Sequence, residues 1–520
     1  MKNFSIKMIA VCMFLVLLFL SGCTERQEPK TILPKDKDMV VLAAARHLAP
    51  GKDDAYYCSK ILFVWEPLIT RTDDGMPAPC LATSWEMRDG GKEWIFHLRK
   101  NVIFHDGSLF NADAVIKNFD RLKYGMRLSN YYYLDKDVFY PKMTNYEKLD
   151  DYTIRLTFSE PSVNQLHKMV DFGSPIFAPS CLDEKGDFKG VAIGTGPYKI
   201  ERNELQKYVI LVRNDDYYGE KGKIKRFMIK NIPNPDVRFS ALKAQEIWGV
   251  TDMNALTSAL ADQLNKDKQF KIAVNKSTII RYLYVNGGRY PFNDVRMRQA
   301  ISLIIDRDEL VNGFFLGYAK ATGNILNYTS PYYLNLPYEY NKKKAQALAH
   351  EVLGDKRQQV TFLISDMDTF QKGEAELIAY WLKDIGLDVN LLAVEGGVAG
   401  KLKRKGEYDI AFGLQGLPNG DAYSFLSRYA LPDGPLNLSS SSHYKNAKVE
   451  RLLEKAKYTS SEKEKHILFD EVQKILAVEL PVIPLFNDMN IVAYNKRLKN
   501  YKPLIYGVDL SKVELAEEND

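Results

Sequence analysis

The sequence is poor in the residues that build chemistry locally. Its 520 residues hold five cysteines, Cys12, Cys23, Cys58, Cys80 and Cys181, with no CxxC spacing. That excludes a zinc ribbon and a disulfide-built scaffold, and leaves room for one disulfide at most. Seven histidines occur without HxH or HExxH, so any metal would need ligands gathered by the fold or by a small chelator. Neither sign of charge dominates. Lys plus Arg is 71 against 66 acids, and a chain beginning at Cys23 loses only Lys2 and Lys7, leaving 69 against 66, too weak a field to argue for nucleic acid. Nucleophile elbows, P-loops and GxGxxG turns are absent, and the pairs Asp53-Asp54 and Asp73-Asp74 lie in turn-like stretches that read as solvated surface, so nothing argues for catalysis. There is no internal repeat, and the only low-complexity tract is Ser439 to Ser442.

What is present is a globular composition: 46% hydrophobic, 12% aromatic and 26% charged residues, enough for two or three domains. One apolar run, Met8 to Leu20, follows Lys2 and Lys7 and is too short to span a bilayer, so residues 1–22 read as a signal peptide. It ends in Leu20-Ser21-Gly22-Cys23, which resembles the bacterial lipobox and implies acylation of Cys23. Residues 23–38 are polar, with two prolines and alternating charge, as suits a flexible tether. The expected location is the cell envelope, anchored to the outer face of the cytoplasmic membrane or in the periplasm. A protein so placed cannot by itself move a solute across a bilayer, which implies a membrane partner.

Beyond the tether, Met39 to Ala45 reads as a strand ending at His47 and the Pro50-Gly51 turn. Trp94, Phe96 and Leu98, and later Ile154, Leu156 and Phe158, alternate with the period of a half-buried strand. His97 and His105 fall on the opposite parity and read as strand residues. Asn111 is placed to cap a helix through Val115, Phe119 and Leu122, and Tyr198 to Val212 reads as a hairpin broken near Asn203. The second half changes character: Met297, Ala300, Ile301, Ile304 and Ile305 share one helical face, leaving Arg298, Gln299, Ser302 and Asp306 to solvent. Helices are expected over 344–353 and 374–385 and strands over 361–364 and 388–392. That spacing suggests a βαβ unit and an α/β fold with a partly parallel sheet.

Several ordered segments carry a resemblance: Val64-Trp65-Glu66-Pro67-Leu68; Leu81-Ala82-Thr83-Ser84-Trp85-Glu86; Phe96-His97-Leu98-Arg99 with Phe104-His105-Asp106-Gly107; Gly194-Thr195-Gly196-Pro197-Tyr198; Asn214-Asp215-Asp216-Tyr217-Tyr218-Gly219; and Phe292-Asn293-Asp294-Val295-Arg296 through Ala300-Ile301 to Asp306-Arg307. In this order the chain resembles the family 5 solute-binding proteins, receptors of peptide and nickel ABC importers. The resemblance implies an α/β, two-lobed, periplasmic-binding-protein-like clamp of the large class II type. Lobe I would span 39–280 with an inserted subdomain at about 71–187, lobe II 281–482, and a C-terminal return 483–520. It also implies ABC permease and ATPase partners, a monomer, and no enzyme activity. A ligand sensor for a membrane signalling partner is the alternative role.

For the ligand, the resemblance offers nickel as a chelate cargo, with a slight preference, or a short peptide. Where peptide binders place an amine-holding aspartate after a tryptophan, this chain has Pro418 and no tryptophan; Asp421 is the nearby candidate. Where nickel binders often place a histidine, Tyr423 stands. His47, at the end of the first mature strand, is the candidate metal ligand, with His443 as a second; a neutral imidazole suits an ion whose remaining ligands come from a chelator. Tyr56, Tyr57, Tyr131, Tyr132 and Tyr133 are expected to line the cleft with flat faces and hydroxyls.

Overall fold

The computed structural model describes residues 39–516 except 49–50, 52–54, 123–125, 130–131, 135, 185–187, 253–254, 366–368 and 417–420. Cys23 and Tyr131 therefore lie outside the described residues, as do the signal peptide and the tether. The rest is one compact unit built around an eleven-stranded mixed sheet. In spatial order its main strands are Tyr198–Glu204, Tyr208–Arg213, Arg226–Asn231, Met39–Ala44, Gly249–Thr251, Ile483–Asn495, Phe270–Val285, Ile410–Gly416, Gln358–Ser365 and Leu387–Val394.

Two of these strands are long because they serve two cores. Phe270 lies in the first apolar cluster, together with Val40, Phe96 and Val492. Ile280, Tyr282 and Leu283 lie in the clusters of the second lobe, together with Ile483, Leu485 and Phe486. The change of core thus comes before Ile280 on one strand and after Phe486 on the other. The ladder between the two strands breaks register at that place, between Lys276 and Ile280.

The first lobe bears a four-stranded antiparallel sheet (Ala82–Arg88, Glu93–Leu98, Thr153–Phe158, Met143–Asp150) whose inner side chains join the same apolar cluster as strand Met39–Ala44. Trp94, Phe96 and Leu98 are buried, as the alternation predicts, but so is Ile95. His97 bonds Glu86 at 2.9 Å on the outer face. Asn111 accepts the amide of Ala114 at 3.1 Å and starts helix Ala112–Leu122. The break in the 198–213 hairpin falls at 205–207, slightly beyond Asn203. The Gly194-Thr195-Gly196 turn owes its glycines to crowding: a Cβ at Gly194 or Gly196 would stand 2.2 Å from the carbonyl oxygen of Val64 or Phe63. His105 belongs to the same support, bonding the Gly196 carbonyl at 2.9 Å, with burial driving its pKa down to about 4.

In the second lobe the βαβ expectation holds. Gln358–Ser365 and Leu387–Val394 pair in parallel, joined by helix Thr369–Lys383, and Gly386 at φ +81° closes that helix. Helix Val295–Ile304 buries Met297, Ala300, Ile301 and Ile304. Arg298 and Asp306, expected in solvent, have structural tasks: Arg298 donates to the carbonyls of Phe292, Glu479 and Leu480, and Asp306 caps helix Arg307–Phe315.

Candidate ligand cleft

In open α/β sheets ligands bind beyond the carboxyl ends of the parallel strands. Both lobes turn those ends toward each other. In the second lobe Gly416, the end of its strand, pairs with Ile279 at the crossover, and strand Gln358–Ser365 runs parallel to it. In the first lobe Met39–Ala44 runs parallel to Arg226–Asn231 and Gly249–Thr251. The last of these runs antiparallel to the returning strand and heads for the crossover.

On the first lobe's rim stands a trio of which the sequence singles out Tyr57 alone. Arg46 Nε donates to Asp252 Oδ2 at 2.9 Å, and its guanidinium lies 4.3 Å above the centre of the Tyr57 ring. Tyr57 Oη donates to Asp252 Oδ1 at 2.7 Å. Burial, then the Asp252 charge, pushes the Tyr57 phenol well above its ordinary pKa, so it stays a donor. Arg46 is 40% exposed while Asp252 is fully buried: a buried carboxylate holds an accessible cation at the strand end.

His47 follows directly. Its Nε2 accepts the amide of Gln206 at 3.3 Å, and burial lowers its pKa, favouring the neutral ring. A neutral imidazole that accepts at Nε2 carries its proton on Nδ1, so coordination by His47 requires that contact to open. His443 stands elsewhere. It is exposed, and it packs against Gly288 just past Val285, the end of its strand farthest from the first lobe. The structure does not bring it to His47, and among the described residues no three His, Cys, Asp or Glu side chains are grouped to hold a metal.

Tyr56 is buried edge-on between Phe177 and Phe188, with Arg121 over its ring, and supports the wall instead of lining it. Tyr132 lies in the short strand Tyr132–Leu134, paired with Met126–Ser129. Tyr423 lies in the first turn of helix Ala422–Ala430 and, half-buried, lines a cavity of about 510 Å³ between the lobes together with Lys168, Asp421 and Arg428. A second cavity, about 420 Å³, lies at the carboxyl ends of the second lobe's strands beside Ser365, Gln371, Lys403, Arg404 and Gln415.

Asp421 has a partner from the opposite lobe. It caps its helix through the amide of Tyr423 at 3.1 Å, and Oδ2 sits 2.7 Å from Lys168 Nζ, with side chains only 2% and 10% exposed respectively. Burial alone would raise its pKa; the Lys168 ammonium outweighs burial and holds it below the carboxylate range. Next to this bridge His167 Nε2 lies 3.2 Å from Tyr332 Oη, which donates to Glu462 at 2.5 Å. Sequence alone offered no signal for Lys168, which lies 253 positions away from Asp421.

The model for bacterial extracellular solute-binding proteins, family 5 middle, matches residues 76–437. The chain belongs to that family. It is 28% identical over 432 residues to the probable D,D-dipeptide-binding periplasmic protein of Escherichia coli K12, covering 81% of each chain. It is 26% identical over 389 residues to the nickel-binding periplasmic protein of the same organism, covering 71% of this chain and 73% of that one. Among solved structures, NikA from Brucella suis in complex with Fe(III)-EDTA superposes with a TM-score of 0.80 at 22% identity, over 92% of this chain and 99% of that one. The two-lobed α/β fold read from the sequence is thereby established. No described helix is long and apolar enough to cross a membrane, and the described residues contain no disulfide.

Proposed function

We propose that the protein is the extracytoplasmic capture subunit of an ABC importer, closing its lobes on a nickel chelate and handing it to a membrane permease powered by an ATPase subunit. The supporting observation is the Lys168–Asp421 bridge. The carboxylate nearest the amine-holding position of peptide binders already has its ammonium, whereas the first lobe's rim presents Arg46 over Tyr57. A guanidinium matches the carboxylates of a small chelator, so the chelator would supply most of the ion's ligands and His47 at most one. The nickel-binding relative is consistent with this cargo; the D,D-dipeptide-binding relative keeps a short peptide as the second reading.

We infer the hinge from the change of core, at 274–279 and 487–491, with closure favoured by ligand contacts made only in the closed form. Anchoring through an acylated Cys23 and a monomeric state complete the reading. Native mass spectrometry of protein purified gently from its own cells, with metal analysis of the same sample, tests it. Nickel with one small organic chelator, lost in Arg46→Gln and weakened in His47→Ala, is the expected result. A heterogeneous set of short peptides without metal overturns it.

A further inference from the structure

One cavity, about 620 Å³, lies away from the strand ends. It lies at the hinge, on the far side of Tyr506, whose ring packs against Tyr57 and Phe172. Its walls come from three places: Trp65 and Arg71 of the first lobe, Leu504 and Ile505 of the return segment, and Lys276 of the crossover strand. Thr329 of the second lobe closes it, in touch with the turn at Gly75, where a Cβ would stand 2.9 Å from the Thr329 carbonyl oxygen.

One wall holds a cationic group with unused donors. Arg71 is 9% exposed and gives Nε to Asp171 Oδ2 at 2.7 Å, while its Nη1 and Nη2 are buried without any hydrogen-bond partner. Asp171 is shared with Lys60 Nζ at 3.0 Å and with Thr70 Oγ1 at 3.4 Å, so two cations meet one carboxylate. Glu66, on the opposite wall, is occupied by the hydroxyls of Thr195, Tyr217 and Tyr218 at 2.8 to 2.9 Å. Two unpaired nitrogens of one planar guanidinium are a fork that fits the two oxygens of a carboxylate, and buried donors of this kind are nearly always paired in folded proteins. Trp65, Leu504 and Ile505 supply apolar surface for the remainder of a ligand, and the volume is in the range of small-molecule sites.

We propose that this hinge cavity is a second ligand site, which takes a small carboxylate with an apolar or aromatic body, head on Arg71 and body against Trp65 and Leu504. It is separate from the interlobe cleft and does not depend on which cargo the cleft carries. Because Lys276 and Thr329 belong to the parts that move on closure, an occupant also biases the angle between the lobes.

Titration calorimetry on the full mature chain with benzoate, benzamide and inorganic phosphate tests the site. Saturable binding of benzoate at one equivalent is expected, with benzamide and phosphate much weaker. Arg71→Gln is expected to lower benzoate affinity more than tenfold, and Arg46→Gln, at the cleft rim, to leave it unchanged. Leu504→Trp, which fills the cavity without touching Asp171, is expected to abolish binding even if Arg71→Gln fails to fold. Absence of saturable benzoate binding, equal affinity for benzamide or phosphate, persistence in Leu504→Trp, or loss in Arg46→Gln overturns the proposal. A loss in Arg46→Gln would move the ligand to the cleft, whereas a failure of the nickel-chelate reading leaves these outcomes unaffected.

Discussion

Two buried aspartates of this chain meet lysine in opposite ways. Asp171 is paired inside the first lobe with Lys60 and Arg71, three groups held by one core. Asp421 is paired across the gap with Lys168, a bridge that exists only while the lobes are together. The chemistry is the same and the task differs: the first pairing maintains a lobe, the second sets a position of one lobe against the other. Removing one member of a buried pair leaves the other charged and desolvated, which is worse than never having had the pair. In the first case that penalty cannot be avoided by movement. In the second the lobes can part and return Lys168 to water.

The strongest way to break the comparison is Asp171→Ala, which should lower the unfolding free energy by about 3–5 kcal/mol in urea titration; an effect below about 1 kcal/mol would make the two aspartates alike. Asp421→Asn should cost less, about 1–2 kcal/mol, because Asn still caps the helix, but should enlarge the radius of gyration in solution scattering as the lobes part. An unchanged radius with a large stability loss would show that the bridge acts within a fold and not between lobes.

Acid sharpens the same contrast. Burial opposes ionisation of Asp171, and the charges of Lys60 and Arg71 outweigh it, holding its pKa down at about 2. A depressed carboxylate contributes stability that is complete above its unfolded value near 4 and lost as pH falls toward the folded value. Thermal unfolding followed from pH 5 to pH 2 should therefore show a steep loss in wild type that Asp171→Asn flattens. Gly75→Ala, at φ +90° against the Thr329 carbonyl, should cost about 1–2 kcal/mol and shift the lobes toward the open form. His97→Ala, which breaks only an exposed contact with Glu86, should leave the melting temperature unchanged.

The fold was legible in the sequence where periodicity had a single partner to satisfy. The helix capped by Asn111, the parallel pair 358–365 and 387–394, and the alternating strands at 94–98 and 154–158 all follow from local pattern. Ile95 shares the outer face with His97 but stands between Arg155 and Glu86 of the two flanking strands, where long side chains cover it and alternation alone does not show its burial. The cleft was less legible. Nothing local marks Arg46, next to His47, because Asp252, which holds it, lies 206 positions later. Nothing in the sequence marks Lys168 or Arg71, since burial of a long polar side chain is decided by what packs over it. His443 looked like a partner for His47 only because distance along a chain says little about which end of a sheet a loop occupies. Tyr56 carried the aromatic signal of a cleft residue and turned out to be packed behind one.

The strand Ile483–Asn495 has a consequence for the order in which the molecule can be made. It completes the first lobe's sheet beside Gly249–Thr251, although more than two hundred residues, a whole second lobe, are synthesised between them. A nascent chain can therefore finish the second lobe while the first still has an open sheet edge, and the half that begins first is the half that folds last.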